Sequence, residues 1–326
     1  MMRILGVTAG ASDRGSADIL LKAALQAAKG AGADVEMVRI DDLDLSVGAG
    51  AQSDDAQWFW DRLMESDGLI VSSPIYSRTL PGKLRLLGDK ISGPQADFAF
   101  TEEILKLRAE GRPLAVDFPV DERVLRPRVA GFMTVGGSLP EHWKSLALPL
   151  MHTITASMQA AVVDQVQFAG AGSPGSIVLD GEALERAARL GSTVAEQAGR
   201  SYDAAQYAGA EGLCPQCHLS VFEILPSHVV CATCGARGDL VLAGGRVEVK
   251  FSTAGLSQSV LTIEEKRAHF AEVQSTAARH SELAELIADG VARYDDLDWR
   301  TCPPRHVDGA RSDGVHQHRT PSDRRS

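Results

Sequence analysis

Aromatic residues make up only 5% of the 326-residue chain, and acidic side chains outnumber basic ones 43 to 33, for a formal charge of -10. So few rings cannot build a base-stacking platform, and the charge repels a phosphate backbone, so no nucleic-acid partner is expected. Long apolar runs are missing too. The most apolar later stretch, LALPLMHTITASM, is cut by Pro149 and His152 well short of a membrane span. No charged and then apolar leader opens the chain, so the sequence reads as cytoplasmic and membrane-free. Cysteine is scarce at five residues, yet four of them fall between positions 214 and 234. In a reducing compartment that clustering indicates a metal rather than disulfides. Two catalytic signatures are absent. Gly10 and Gly15 precede Ser16 and Ala17 instead of the Walker lysine, and no G-x-S-x-G elbow occurs, which excludes an ordinary P-loop NTPase and an α/β hydrolase.

What is present alternates. MRILGVTA is a short apolar run, and SADILLKAALQAAKGAGA then changes to helical spacing. DVEMVRI, DGLIVSS, VAGFMTV and VVDQVQF repeat the strand pattern, separated by the helical stretches DDAQWFWDRLMES, LPGKLRLLGDKI and EHWKSLALPLMHTITASMQA. The unbroken apolar run in the third strand suits a sheet covered on both faces. The pattern predicts an α/β domain over 1–207, a doubly wound five-stranded parallel sheet of order 2-1-3-4-5, closed by the helix GEALERAARLGSTVAEQAGR. Residues 92–128 interrupt it as an insertion, long enough for a lid or a partner surface. Residues 208–256 hold the cysteines and the strands DLVLAGGRVEVKF around Gly244 and Gly245, and 257–302 form a helical extension. In that extension Thr262 and Glu265 have capping-box spacing, and Phe270, Val273 and Ala277 mark one apolar stripe. The tail 303–326 has almost no aliphatic residues and is expected to be disordered, with Cys302 a spare thiol beside it.

Three loops fall at the carboxyl edge of the expected sheet. TAGASDRGS brings Thr8, Gly10, Ser12, Arg14, Gly15 and Ser16 to a helix start, where backbone N–H groups and the helix dipole attract a phosphate. SSPIYSRTLPGKL puts Pro74, Ile75, Tyr76, Ser77 and Leu80 across the switch point, where a planar ring would meet backbone groups on its edge and Tyr76 or Leu80 on its face. TVGGSLPEHW adds Thr134, Gly136 and Gly137, whose small size lets a flat ligand approach. Just beyond, Glu141, His142 and Trp143 are candidates to touch a substrate, His142 being the candidate catalytic side chain, and a surface helix start explains them as well. GAGSPG at 170–175 matches G-x-G-x-x-G, but Pro174 and the β-like SIVLD after it favour a plain glycine-rich connection.

The segment SSPIYSRTLPGKLRLLGDK resembles the Ser-Pro-hydrophobic-Tyr, Pro-Gly pattern of the flavodoxin-like NAD(P)H-dependent FMN reductases, including their iron–sulfur flavoprotein branch, over residues 2–205. That resemblance implies FMN as cofactor, NAD(P)H as co-substrate, a small-molecule electron acceptor such as a quinone, and a homodimer. The flavin supplies the hydride chemistry while the protein positions it and excludes water. Ala9, Gly10 and Ala17 depart from the phosphate loop of that family, which costs two hydroxyl positions. The cysteine cluster of the iron–sulfur branch has LSVGAGAQ in its place.

The spacing C-x2-C, thirteen residues, C-x2-C makes Cys214, Cys217, Cys231 and Cys234 a tetrahedral thiolate set for zinc or a single iron. The segment resembles zinc ribbons and the rubredoxin-like module alike, although His218 stands where a rubredoxin knuckle has glycine. Zinc would fold a segment too small to hold itself, whereas iron would add an electron relay. Three functions stand at this point: an FMN-dependent oxidoreductase, a non-enzymatic flavodoxin-like protein whose zinc ribbon contacts a partner, and a flavin/iron electron carrier.

Overall fold

A computed structural model of the chain describes residues 2–46, 55–295 and 297. The expected tail, Cys302 and most of the LSVGAGAQ stretch lie outside them. In chain order the first domain comprises β1 (Arg3–Thr8), α1 (Ser16–Gly30), β2 (Asp34–Arg39), α2 (Ala56–Glu65), β3 (Gly68–Pro74), α3 (Gly82–Ile91), α4 (Phe98–Ala109), β4 (Val129–Val135), α5 (Ala147–Thr155), β5 (Ala161–Phe168) and α6 (Gly181–Gln197). The sheet is parallel with order β2-β1-β3-β4-β5, the flavodoxin-like arrangement that the alternating pattern predicts.

Both faces are buried. On one, Leu20 and Leu21 of α1 and Leu190 and Val194 of α6 are fully enclosed against Ile70 and Met133, each worth about 2 kcal/mol of transfer free energy. On the other, α2, α3 and α5 bury Trp60, Leu63, Leu84 and Met151 against Val71 and Phe132. Close approach on the first face depends on Gly191, where a Cβ would stand 1.9 Å from the carbonyl oxygen of Ala24.

The helix expected over 141–160 is shorter in the structure. A 3-10 turn at Glu141–Trp143 precedes α5, which begins at Ala147. Pro149 explains the start, since proline is tolerated only in a first helical turn and this helix begins two residues before it.

The inserted segment lies at the amino-terminal edge of the sheet. There Arg126 pairs with Asp67, and the Phe98 backbone N–H donates to the carbonyl of Ser157. Its helix α4 packs Phe100 and Ile104 against Phe270 of α8 (Ile263–Glu282). Gln274 of α8 accepts from the Ala115 and Val116 N–H groups and donates to the Val116 carbonyl. The loops that follow β1, β3 and β4 lie at the opposite edge.

After α6, four antiparallel strands form the ribbon: β6 (Phe222–Ile224), β7 (Val229–Cys231), β8 (Arg237–Ala243) and β9 (Arg246–Phe251), with the short helix α7 (Thr253–Leu256) before α8. The hairpin turns at Gly244 and Gly245, both at positive φ. The half capping box is present, the Glu265 N–H donating to Thr262 Oγ1 at 3.4 Å. Sheet and ribbon belong to one compact unit, 1–278, while 279–326 form a second that contains α9 (Ala284–Ala292). Among the described residues, no helix is long and apolar enough to cross a membrane.

Candidate active site and metal centre

Parallel register brings the strand ends into line, Thr8 beside Ser72, Pro74 beside Val135, and Val135 beside Phe168. Backbone bonds continue this ladder into the loops. The Ala9 N–H donates to Ser72, Ile75 to Val135, Gly136 to Phe168 and Ala171 to Gly136, at 2.9–3.2 Å. The loops are therefore extensions of the rigid sheet.

Together they enclose a cleft of about 350 Å³. Of the residues expected there, Gly10, Ser12, Gly15, Ser16, Pro74, Ile75, Tyr76, Gly136 and Gly137 form its wall. Ala171, Gly172, Ser173 and Pro174 supply a further wall that the sequence reading treats as a plain connection. A Cβ on Gly137 would approach Gly172 Cα to 2.8 Å, and one on Gly175, at φ 72°, would approach the Arg14 carbonyl to 2.9 Å. Both glycines let this loop close onto its neighbours.

The other expected residues stand behind or beside the wall. Thr8 is fully buried, its hydroxyl donating to Asp18 Oδ1 at 2.8 Å and accepting from the Gly10 N–H at 3.2 Å. Asp18 is itself buried and meets Arg39 Nη1 at 2.8 Å. Arg39 also donates to the Gly10 carbonyl at 3.5 Å, so an ion pair invisible as a motif supports the loop from below. Leu80 packs in the core beneath, Thr134 is buried with its hydroxyl unpartnered, and Arg14 is exposed at the loop. Ser77 is exposed at the tip of a turn whose ends are joined by Tyr76 N–H to Thr79 at 3.0 Å and Thr79 N–H to Tyr76 at 2.9 Å. Ser77 and Arg78 adopt φ 47° and 75°, each costing of order 1 kcal/mol for residues other than glycine. His142 stands outside the wall, exposed, its ring 5.8 Å from that of Trp143.

The cleft fits FMN at its phosphate end. Ser16 Oγ is buried without a hydrogen-bond partner at the first turn of the 15-residue helix α1, where unpaired N–H groups converge. Among the described residues, Arg14 meets no carboxylate.

The four cysteines come together as expected. Their sulfurs lie within 4.8 Å of one another, and every thiol is at most 1% exposed. The Cys214–Cys234 and Cys217–Cys231 pairs stand 3.6 and 3.5 Å apart, far beyond a disulfide and close to the edge of a tetrahedral tetrathiolate. Four converging buried thiols suit a divalent cation, which would stabilise all of them as thiolates.

The centre is fastened to the sheet. Gln165 of β5 donates to the Cys217 carbonyl at 2.8 Å and meets His152 Nε2 at 2.9 Å. Because the amide nitrogen of Gln165 is committed to Cys217, its oxygen accepts and His152 Nε2 carries the proton. Burial holds His152 neutral, pushing its pKa down to about 4. His218 takes φ 59° and stacks on Tyr207 at 3.6 Å, with Nδ1 2.7 Å from Glu211.

A family model described as NADPH-dependent FMN reductase matches residues 2–174. A flavone synthase of Aspergillus candidus is 33% identical over 295 residues, 84% of this chain and 89% of that protein. An iron–sulfur flavoprotein of Methanocaldococcus jannaschii is 24% identical over 211 residues, covering 60% of this chain and 96% of its own. Among solved structures, a flavone reductase superposes with a TM-score of 0.78 at 25% identity, over 93% of this chain and all of that one.

Proposed function

The chain belongs to the NADPH-dependent FMN reductase family, and from that premise we propose that it moves hydride equivalents between NAD(P)H and a planar enone of the flavone class. Membership makes it an oxidoreductase, so the non-enzymatic reading gives way. The observation that supports this acceptor, in place of a quinone, is the extent of two similarities. Those to the flavone synthase and the flavone reductase span 84% and 93% of the chain, past the family match at residue 174 and through the ribbon. A homodimer with the flavin sites as its working centres belongs to the same reading.

Bound FMN would supply two-electron hydride chemistry at its ring. The residues of this chain bind and orient it. Ser16, the α1 N-terminus and Arg14 would take the phosphate, and the Asp18–Arg39 pair holds their loop in place. Pro74, Ile75 and Tyr76 and, directly beside them, Gly136 and Gly137 would border the ring, and the 171–174 wall would keep water from it.

For the cysteine centre this reading takes zinc in a structural role. Four thiolates leave no open position, and the side chain of His218 occupies the knuckle position that rubredoxin-like centres keep as glycine.

The experiment is direct. Purified enzyme with FMN and NAD(P)H under anaerobic conditions is given flavone, and the product is followed by mass and absorbance. A gain of two hydrogens to give the flavanone is expected. Consumption of NAD(P)H with a quinone while flavone stays intact would overturn the acceptor. Metal analysis after growth in iron-rich medium is expected to return stoichiometric zinc, and stoichiometric iron would restore the electron-relay reading.

A further inference from the structure

On the reading that a flavone-class enone docks beside the flavin, we infer that Arg78 holds the carbonyl oxygen of that acceptor and is a specificity-determining residue of the reaction. The backbone comes first. Ser77 and Arg78 occupy the two central positions of the Tyr76–Thr79 turn at φ 47° and 75°. A two-residue hairpin turn ordinarily meets that demand with Asn-Gly. Side chains kept in such backbone commonly sit where a ligand is held.

Charge comes second. Arg3, Arg62, Arg85, Arg108, Arg126 and Arg186 all lie against carboxylates. Among the described residues the guanidinium of Arg78 has no carboxylate and meets only a neutral hydroxyl, Ser145 Oγ at 3.3 Å. In a chain carrying ten excess negative charges, a guanidinium without a carboxylate, two residues beyond the cleft residue Tyr76, remains available to an electron-rich oxygen.

Its surroundings fit one occupant. The contact with Ser145 joins the turn after β3 to the 139–145 segment after β4, and both continue directly from the cleft wall at Tyr76 and Gly137. Tyr76, Leu139 and Trp143 on these segments remain 51%, 71% and 50% exposed. Large apolar side chains on the same segments as a guanidinium that meets only a neutral hydroxyl suit a flat, mostly apolar molecule that carries a carbonyl oxygen.

The chemistry uses such a contact. With FMN bound as the hydride donor, hydride arriving at C2 of a flavone would push the C2=C3 electron pair toward C3 and the C4 carbonyl oxygen. The enolate then takes a proton from water at C3, giving the flavanone. Negative charge grows on the oxygen along this path, so a fixed guanidinium beside it binds the transition state more tightly than the ground state.

The test uses FMN-loaded wild type, R78A, R78K and S145A. For R78A, kcat on flavone is expected to fall about 100-fold. Flavone binding to its oxidised holoenzyme, read by tryptophan fluorescence without turnover, is expected to weaken about 10-fold. R78K should recover part of the binding, because charge returns without the planar fork. Reduction of the bound flavin by NAD(P)H, read from its absorbance, should be unchanged in R78A. A matching loss in that half-reaction would assign Arg78 to the dinucleotide and overturn the inference. An equal loss in S145A, which keeps the guanidinium and removes only its tether, would also overturn it. Intact flavone binding in R78A overturns the inference alone, whereas failure of the wild-type holoenzyme to bind flavone overturns the acceptor assignment with it.

Discussion

Replacing Ser16 by alanine should move cofactor affinity and stability of the cofactor-free protein in opposite directions. The hydroxyl is buried at the first position of α1 and has no partner in the protein, so the empty site carries its desolvation cost. Removing it relieves that cost, and alanine is also the better helix former. The cofactor-free variant should gain about 1 kcal/mol. With FMN bound, the same hydroxyl would donate to a doubly charged phosphate. Hydrogen bonds to charged groups contribute about 1.5–3 kcal/mol, and at about 1.4 kcal/mol per decade the dissociation constant should rise between roughly 10- and 150-fold. Titration followed by quenching of flavin fluorescence measures this. Riboflavin, which lacks the phosphate, is the control and should bind both proteins equally. Equal losses for FMN and riboflavin, or no loss for either, would refute the placement of the phosphate at this helix start.

Four further perturbations test other links. In Gly191→Ala the new Cβ would stand 1.9 Å from the Ala24 carbonyl, so α1 and α6 must part. Overpacking at the upper end of about 1–3 kcal/mol, as a clash with backbone implies, is partly offset by about 1 kcal/mol of helix propensity, and chemical denaturation should show a net loss of about 2 kcal/mol. Arg128 is 2% exposed and donates to the carbonyls of Leu63, Met64, Arg123, Val124 and Arg126, so Arg128→Met removes a buried donor from five acceptors, of which Leu63 and Arg123 keep a backbone partner. That variant should lose about 3 kcal/mol or more by the same assay. Burial lowers Lys266 from its usual range to about 8. The unfolded chain therefore binds more protons between about pH 8 and the free-lysine value, and stability should rise with pH across that window. Lys266→Met should flatten the rise, and an identical pH profile in the two proteins would count against it. Finally, stripping the metal with a chelator should expose 208–256 to limited proteolysis and loosen FMN binding, and unchanged flavin affinity in demetallated protein would disprove the coupling.

The strand and helix alternation was readable because a sheet covered on both faces demands continuous apolar strands such as Leu69 to Val71, each followed by an amphipathic helix. The four-cysteine cluster was readable because its members are near in sequence. What escaped depends on pairings across the fold. Arg39 ends an edge strand and Asp18 lies in the first turn of α1, and nothing in either local sequence says that they meet beneath the phosphate loop. The 171–174 wall was testable, since order 2-1-3-4-5 already sets the end of β5 beside Gly136. Pro174, which argues against a dinucleotide fingerprint, belongs to a segment with the simpler place of lining the cleft. Thr8 shows the converse. Its position at the strand end suggested a ligand, but alternation along β1 turns its hydroxyl inward to Asp18.

The ribbon is tied to the catalytic domain by the physics of a sheet edge. β5 is the last strand, and an uncovered edge strand bearing the polar residues Asp164 and Gln165 would leave backbone groups and a carboxylate without partners. Three contacts from later in the chain resolve this. The Ala208 N–H bonds the Val163 carbonyl at 2.8 Å, Arg186 pairs with Asp164, and Gln165 is held between His152 and the Cys217 carbonyl. The last of these depends on the shape of the first cysteine knuckle, and segments that small are commonly held by a bound cation. Three residues beyond Gln165, Phe168 accepts the Gly136 N–H and the chain enters the 171–174 wall. A cation held by the four cysteines would thus act on the cleft by fixing the strand from which one of its walls springs, although no cysteine lines that cleft.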